Sequence, residues 1–235
     1  MLETLCFDAD DTLWHNERFF KLSQDRFAEL LADHAPRAHL AEHLLAAERR
    51  NLGRYGFGIK GFMLSMVETA LDVTNNKVPG DVIREIVDLG QEMLRHPIEL
   101  LSGVEETVTS LAPDFRLMII TKGDLLDQER KVAQSGLGEL FDAVEIVSDK
   151  SPKIYAEIFT RHALEPDWTV MTGNSLKSDI NPVLKAGAWA VHVPHELEWD
   201  FEADDAPTGH PRFREATDIA KLPDILNDIN TTSGV

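Results

Sequence analysis

Cysteine, positive charge and long apolar runs are scarce in this chain, and each scarcity excludes a class of protein. Cys6 is the single cysteine among 235 residues, so no intramolecular disulfide can form, as is typical of a reducing compartment. Apolar runs such as residues 117–120 are far too short to span a bilayer. The 23 Lys and Arg face 41 Asp and Glu, which gives a net charge of -18, and so acidic a surface repels nucleic acid.

The start of the chain also lacks the features of a secretory signal. Glu3 and Asp8 stand where a signal peptide would have a basic start and a long apolar stretch. We therefore expect a cytoplasmic protein with neither a nucleic acid nor a membrane partner. Hydrophobic residues make up 43% and charged residues 27%, an ordinary globular balance in a chain long enough for one sizeable core and a smaller accessory domain.

The hydrophobic pattern changes along the chain. Between about residues 17 and 95, apolar residues recur at helical intervals with almost no strand signal. From residue 101 onward, short apolar runs alternate with helical segments, which is typical of a parallel sheet covered by helices. We predict an α/β core formed by residues 1–15 and 97–235, with a helical domain inserted at 16–96. Ligands of open α/β sheets bind at the carboxyl ends of the strands, where such an insertion would act as a lid.

The predicted elements are bounded by Gly and Pro, which end helices and strands. Strands are predicted at 2–7, 116–121, 143–147, 169–172 and 189–193. Helices are predicted from residue 17 and at 39–52, 61–73, 79–94, 103–112, 125–135, 152–162 and 176–186. An acidic loop at 200–211 and a last short strand and helix within 215–227 complete the chain.

The most informative segment is the acidic end of the first strand. The apolar run Leu5-Cys6-Phe7 ends in three carboxylates within four residues, Asp8, Asp10 and Asp11. In extended geometry Asp8 and Asp10 point the same way. Carboxylates that close repel one another, and a bound hard cation such as Mg²⁺ offsets that repulsion with the oxygen ligands it prefers. We expect Asp11 to be a turn residue that bonds local backbone.

Polar residues also follow three later strands. Thr121 and Lys122 end the strand at 116–121, and Lys150 follows the strand at 143–147. Gly173-Asn174-Ser175 follows the strand at 169–172, and Asp179 comes four residues after Ser175. A hydroxyl, an ammonium group and acid or amide groups at neighbouring strand ends can jointly hold a phosphate and its metal ion.

These features, in this order, resemble the motifs of the haloacid dehalogenase-like superfamily of hydrolases, most of which are phosphatases. Residues 8–12 fit its D-x-D-x-T motif after a buried strand, and Thr121 fits its second motif. Lys150 fits the motif lysine, and residues 173–179 fit G-D-S-x-x-x-D. One motif alone is weak evidence, whereas four in order are specific. The resemblance implies a Rossmann-like parallel sheet with helices on both faces and an inserted α-helical cap of the C1 type.

The resemblance also implies a role for each matched residue. Asp8 would be the nucleophile that forms an aspartyl-phosphate, and Asp10 the general acid and then the base that activates water. Thr121 and Lys150 would bind the transferring phosphoryl group, and Lys122 is a further candidate for contact with substrate.

The implied cofactor is Mg²⁺. Its ligands would be the Asp8 carboxylate, the Asp10 backbone carbonyl, Asn174 and Asp179. Two departures from the family pattern bear on this site. Asn174 stands where many relatives have Asp, which removes one negative charge from the metal site, and Lys153 is an alternative to Lys150 as the motif lysine.

The predicted function is a magnesium-dependent hydrolase, a phosphatase acting on a small phosphorylated metabolite. Three alternatives remain open at this point. A 2-haloacid dehalogenase shares the fold and the nucleophile, but lacks an acid at the position of Asp10. A phosphotransferase or phosphomutase would pass the phosphoryl group to another substrate. A non-catalytic ligand-binding relative would have no reason to keep Asp8, Asp10, Thr121 and Lys150 together.

Overall fold

The computed structural model of the chain describes residues 1–197, 199 and 201–232. The described chain divides into two compact units. The first, which we call the sheet unit, comprises Met1–Glu17, Ile98–Lys122 and the chain from Gln128 onward. The second, the helical unit, comprises Arg18–Pro97 and Gly123–Asp127. The domain boundaries and the lid drawn from the sequence stay predictions.

The sheet unit is built on a parallel sheet. Its strands are β1 (Thr4–Phe7), β2 (Arg116–Lys122), β3 (Ala143–Val147), β4 (Thr169–Gly173), β5 (Trp189–His192) and β6 (Phe213–Glu215). They form a 6-stranded sheet in the order β3-β2-β1-β4-β5-β6, and each neighbouring pair is parallel. Phe7 lies opposite both Ile119 and Thr172. The residues that follow β1, β2 and β4 therefore emerge at one edge of the sheet.

Helices cover both faces of this sheet. The helices are α1 (Glu17–Leu30), α2 (Arg37–Tyr55), α3 (Ile59–Val73), α4 (Gly80–Arg95), α5 (Val104–Leu111), α6 (Leu125–Gln134), α7 (Pro152–His162), α8 (Asn181–Lys185) and α9 (Leu222–Thr232). Alternate strand residues enter separate cores: Phe7 packs with Val108 of α5 and Leu226 of α9, whereas Cys6 packs with Ile158 of α7 and Val183 of α8. The predicted α/β class, with helices on both faces of a parallel sheet, is confirmed.

The helical unit has a core of its own. Apolar residues at helical spacing on α1 to α4 pack together, among them Phe27, Leu44, Phe62, Met66 and Ile86. None of the helices in the described part of the chain is both long and apolar enough to cross a membrane.

Most predicted boundaries lie close to the observed ones. The strand at 143–147 and the helix at 152–162 agree, and other elements differ by one to three residues. The last strand and helix differ more, because the strand ends at Glu215 and α9 continues to Thr232. Of the predicted loop at 200–211, residues 201–211 contain neither helix nor strand, and Asp200 lies outside the described residues.

The continuous helix predicted at 176–186 is wrong. A π-helical turn at Leu176–Ile180 precedes the short α8. Pro182 has no N–H, so the carbonyl of Ser178 loses its helical donor. The hydroxyl of Tyr155 donates to that carbonyl instead, at 3.0 Å. Such wide turns interrupt helices mostly at functional sites, and this one follows β4 at the edge described above.

Candidate active site

A lysine and two aspartates form a buried charged cluster at the end of β1. The Lys150 Nζ lies 2.5 Å from Asp8 Oδ1 and 2.6 Å from Asp179 Oδ1. The Lys150 and Asp179 side chains are each 1% exposed. Burial and the neighbouring charge of Asp179 raise the pKa of Asp8 to about 7, against the opposing effect of Lys150. Although burial alone would lower it, the pKa of Lys150 is raised, because Asp179 and Asp8 favour its charged form.

Only one of the two candidate lysines reaches this cluster. Lys150 comes just before α7, whose first turn is capped by the Ser151 side chain. Lys153 already lies on the helix, is 85% exposed and pairs with Glu157 at 3.7 Å. The geometry therefore favours Lys150 as the cation that faces Asp8.

Asp179 owes its position to the turn after β4. Its Oδ2 accepts a hydrogen bond from the Ser175 backbone N–H at 3.0 Å. The Ser175 hydroxyl in turn accepts one from the Ser178 N–H at 2.9 Å, which fixes the turn. Gly173 lies so near that a Cβ there would meet Asp179 Oδ2 at 2.3 Å. The first glycine of the G-N-S segment thus makes room for a carboxylate.

Thr12 links the first and fourth motifs. Its hydroxyl lies 3.3 Å from Asp8 Oδ2 and 3.1 Å from Asn174 Oδ1, each of which can accept its proton. The same oxygen accepts a hydrogen bond from the Asn174 N–H at 3.1 Å. The Asp8 carboxylate and the Asn174 amide oxygen are therefore brought to one point, although 166 residues of sequence separate them.

The oxygen donors at this point fit a hard divalent cation. Two carboxylates, Asp8 and Asp179, are buried beside the amide oxygen of Asn174, and Mg²⁺ prefers such all-oxygen ligand sets. The raised pKa of Asp8, caused first by burial and then by Asp179, shows that the negative charge there is not fully balanced. Within the described residues, no three His, Cys, Asp or Glu side chains form a metal-binding group, since the third donor is an amide.

The chain does not stay extended from Asp8 to Asp10, as the sequence analysis expected. The strand ends at Phe7, and the Leu13 N–H bonds to the Ala9 carbonyl at 2.8 Å. Asp11 has a φ of 60°, a left-handed conformation that Asp tolerates in turns. The backbone therefore turns sharply, and the Asp8 and Asp10 carboxylates have different partners.

The Asp11 carboxylate bonds local backbone, as predicted. It accepts hydrogen bonds from the N–H groups of Asn16 at 2.8 Å and Glu17 at 2.9 Å, where α1 begins. Burial raises its pKa to about 6, against the effect of these hydrogen bonds. Asp11 is therefore a structural residue of the turn.

The Asp10 carboxylate is held by three hydrogen-bond donors. The Trp14 indole N–H lies 2.7 Å from Asp10 Oδ1. The Lys131 Nζ lies 2.9 Å from Oδ1 and 3.0 Å from Oδ2, and the Gln128 amide lies 3.3 Å from Oδ2. Gln128 and Lys131 on α6 were not identified in the sequence, because polar residues within a helix are most often solvated.

The two residues at the end of β2 have unlike surroundings. The Thr121 hydroxyl is buried and accepts a hydrogen bond from the Gln128 amide at 2.6 Å. The Lys122 Nζ bonds the Ser178 hydroxyl at 2.7 Å and Glu202 Oε1 at 2.5 Å. The predicted contact of Lys122 with substrate stays a prediction, while its observed contacts support the turn after β4.

Glu202 is another residue that the sequence analysis missed. Its carboxylate also accepts from the hydroxyls of Ser175 at 2.5 Å and of Ser178. Although burial favours the neutral acid, Lys122 and the two serine hydroxyls hold the pKa of Glu202 below its usual range. Its position in an acidic loop gave no sequence signal that set it apart from its neighbours.

The combined site places a buried carboxylate, a buried ammonium group and a second acid at the carboxyl edge of a parallel sheet. Such a carboxylate can act as a nucleophile, and the second acid can transfer protons. The ammonium group can offset negative charge that develops during the reaction.

Comparisons with known proteins agree with this arrangement. The family model described as a haloacid dehalogenase-like hydrolase matches residues 2–187. The chain is similar to a solved haloacid dehalogenase-like family hydrolase from Xanthomonas campestris, with 38% identity, a TM-score of 0.89, and coverage of 99% of this chain and 94% of that one.

Two curated relatives carry the names of phosphatases. The chain is 28% identical to a glyceraldehyde 3-phosphate phosphatase from Methanothermobacter thermautotrophicus, over 96% of this chain and 100% of the relative. It is 30% identical to an N-acylneuraminate-9-phosphatase from Mus musculus, over 40% of each chain.

Proposed function

Because the chain belongs to the haloacid dehalogenase-like hydrolases, we propose that it is a magnesium-dependent phosphatase of a small phosphorylated metabolite. The membership confirms the resemblance drawn from the four motifs. The proposal rests above all on one observation, the Lys150 ammonium group held between the Asp8 and Asp179 carboxylates. A buried cation beside a nucleophilic carboxylate suits attack on a negatively charged substrate.

Asp8 is the proposed nucleophile. A carboxylate oxygen of Asp8 attacks phosphorus, the bond from phosphorus to the leaving oxygen breaks, and an aspartyl-phosphate forms. Water then attacks that phosphorus, the bond to Asp8 breaks, and inorganic phosphate is released. Covalent catalysis of this kind divides one difficult displacement into two easier ones.

Asp10 is the proposed acid and base. It gives a proton to the leaving oxygen in the first step and takes one from water in the second, so the protons balance over a cycle. Its carboxylate lies close enough to Asp8 to contribute to the raised pKa of that group, after burial and Asp179. A haloacid dehalogenase has no need of such an acid, which favours the phosphatase over that alternative.

Thr121 and Lys150 are proposed to bind the phosphoryl group, with Lys122 as a further candidate. The Thr121 hydroxyl and the Lys150 ammonium group are both hydrogen-bond donors, and both are buried. Buried donors stabilise a transferring phosphoryl group more strongly than exposed ones, because little water competes with them.

The donor set proposed for Mg²⁺ is the carboxylates of Asp8 and Asp179, the amide oxygen of Asn174 and the backbone carbonyl of Asp10. When bound there, the ion would neutralise the charge shared by the carboxylates and the phosphate.

The proposed substrate class is a small sugar or triose phosphate. This follows from the printed names of the curated relatives, of which the glyceraldehyde 3-phosphate phosphatase is matched over its whole length. D-Glyceraldehyde 3-phosphate and an N-acylneuraminate 9-phosphate are therefore the first members of a test panel.

The test is release of inorganic phosphate from that panel, with Mg²⁺ and with EDTA. We expect turnover by the native chain with Mg²⁺, and none with EDTA or in Asp8→Asn. Asp33→Asn is the matched control, because Asp33 is exposed on the helical unit and should leave turnover unchanged.

Each alternative gives a different result in the same experiment. A phosphotransferase would consume substrate and form a new phosphorylated product without free phosphate. A dehalogenase would release halide from a 2-haloacid in the presence of EDTA. A binding protein would hold the ligand equally well in the native chain and in Asp8→Asn, with no turnover in either.

A further inference from the structure

Two buried side chains on one face of α6 converge on the first and second motifs. Gln128 and Lys131 are three residues apart, so they lie side by side on the helix. Gln128 is 1% exposed and Lys131 is 7% exposed, which is unusual for such polar residues. Neither belongs to the motifs from which the roles of the other residues are drawn.

Lys131 fixes the orientation of Asp10. Its ammonium group bonds both carboxylate oxygens, at 2.9 and 3.0 Å, and also the Asn16 side-chain oxygen at 3.0 Å. The Trp14 indole N–H bonds Asp10 Oδ1 from a second direction at 2.7 Å. A carboxylate bonded at both oxygens cannot rotate about its last side-chain bond without losing charge-assisted hydrogen bonds.

Gln128 sets the direction of the Thr121 hydroxyl. The Gln128 Nε2 lies 2.6 Å from Thr121 Oγ1, 2.9 Å from the Lys122 carbonyl and 3.3 Å from Asp10 Oδ2. Since Thr121 accepts from Gln128, its own proton must point elsewhere. The Lys122 carbonyl lies 3.5 Å from Thr121 Oγ1, which is too long for a strong bond. The hydroxyl proton is therefore available to a phosphoryl oxygen.

The other end of the Gln128 amide supports this assignment. Gln128 Oε1 is buried and has no hydrogen-bond partner among the described residues. An unsatisfied buried acceptor costs about 1–3 kcal/mol. The reverse amide orientation would place that acceptor against three other acceptors, so the amide is held in the donating orientation towards Thr121 and Asp10.

We propose that Gln128 and Lys131 are positioning residues of the phosphatase, Lys131 acting through Asp10 and Gln128 acting through Thr121. This assignment rests on the proposed function. A general acid must lie within hydrogen-bond reach of the oxygen it protonates, and a displacement of 1 Å can slow a reaction about 100-fold. Lys131 and Gln128 hold these two side chains in place before substrate binds.

The test for Lys131 compares two leaving groups. p-Nitrophenolate leaves without much help from an acid, whereas the alkoxide of D-glyceraldehyde 3-phosphate needs a proton. We expect Lys131→Met to lower kcat/KM about 100-fold for the alkyl phosphate and less than about tenfold for p-nitrophenyl phosphate, as Asp10→Asn should. Lys131→Arg should recover part of the loss, and the exposed Lys153→Met should match the native chain.

A double variant keeps the test valid if Lys131→Met alone folds poorly. Asp10→Asn with Lys131→Met removes both charges of the pair, and its kcat/KM should equal that of Asp10→Asn. Equal losses on the two substrates, or an additive loss in the double variant, would overturn the assignment while leaving the phosphatase intact. A native chain inactive on both substrates would instead overturn the proposed function, and this assignment with it.

Gln128 is tested in the same way against Thr121. Thr121 touches the phosphoryl group of any substrate, so Gln128→Met should lower kcat/KM for both substrates, by about tenfold or more. It should cause no further loss when added to Thr121→Val. Gln134→Met, an exposed change on the same helix, is the control. Additive losses in the double variant would show that Gln128 does not act through Thr121.

Discussion

Gly173 and Asp179 lie so close together that only a glycine fits at residue 173. A Cβ there would lie 2.3 Å from Asp179 Oδ2 and 2.4 Å from its Cγ. The constraint is one of space, since the φ of Gly173 is not in the left-handed region. The carboxylate could not retreat without losing the Ser175 N–H and Lys150, its hydrogen-bond partners at 3.0 and 2.6 Å.

The first prediction is that Gly173→Ala displaces Asp179. Overpacking of this kind destabilises a fold by about 1–3 kcal/mol, and we expect a larger effect on function, a loss of about 100-fold in phosphate release and weaker Mg²⁺ dependence. Denaturant unfolding and a Mg²⁺ titration of activity measure the two effects. Gly53→Ala is the control, because Gly53 lies within α2 with nothing within 4 Å of its would-be Cβ. Native activity and metal dependence in Gly173→Ala would contradict the prediction.

The second prediction separates the two candidate lysines. Lys150→Met removes the cation between Asp8 and Asp179, and should lower kcat/KM about 10²- to 10³-fold. It also leaves two buried carboxylates facing each other, which should destabilise the fold by about 3–5 kcal/mol. Lys153→Met should change neither quantity, because the Lys153 side chain is 85% exposed. Phosphate release and urea unfolding check both, and a larger loss in Lys153→Met would reverse the choice of motif lysine.

The sequence was sufficient for the residues that end strands. In a parallel sheet the carboxyl ends of neighbouring strands meet at one edge, so Asp8, Thr121 and Asp179 could be placed together from strand pattern alone. The same pattern predicted the sheet and its covering helices. The hydrogen bond from Tyr155 that accommodates Pro182 could not be predicted, since it joins two helices whose packing the pattern does not specify.

The supporting residues could not be found in the sequence, for a physical reason. Gln128 and Lys131 stand in a helix, and Glu202 stands in an acidic loop, where polar residues are ordinarily solvated. Their burial depends on tertiary contacts between segments up to 121 residues apart. A local pattern contains no record of such contacts, whereas the strand-end motifs are local.

The third prediction concerns the ion pair of Lys122 and Glu202. The two side chains are 12% and 14% exposed and lie 2.5 Å apart, so their coupling should exceed that of a surface pair. In a double-mutant cycle with Lys122→Met and Glu202→Gln, we expect a coupling free energy of about 1–3 kcal/mol in urea unfolding. The pair Lys153 and Glu157, exposed and 3.7 Å apart, should give at most about 0.5 kcal/mol. Equal coupling in the two cycles would contradict the importance assigned to burial.

The fourth prediction concerns Glu48, a buried carboxyl group of the helical unit. Glu48 is 7% exposed, and burial raises its pKa from 4.5 to about 7. The folded chain therefore binds this proton more tightly than the unfolded chain. Its favourable contribution is complete below about pH 4.5 and is lost as the pH rises to about 7. At pH 8 the buried charge destabilises the fold by up to about 3 kcal/mol, at 1.36 kcal/mol per pKa unit.

Glu48→Gln removes this charge while keeping the shape of the side chain. We expect the variant to be more stable than the native chain at pH 8, by about 1–3 kcal/mol, and to differ little from it at pH 5. Urea unfolding followed by circular dichroism of the helices measures the difference at each pH, and other titrating groups cancel in the comparison. Glu42→Gln, an exposed change on the same helix, should show no such dependence. A stability difference independent of pH would mean that Glu48 ionises normally, and that the burial of its carboxyl group is relieved at neutral pH.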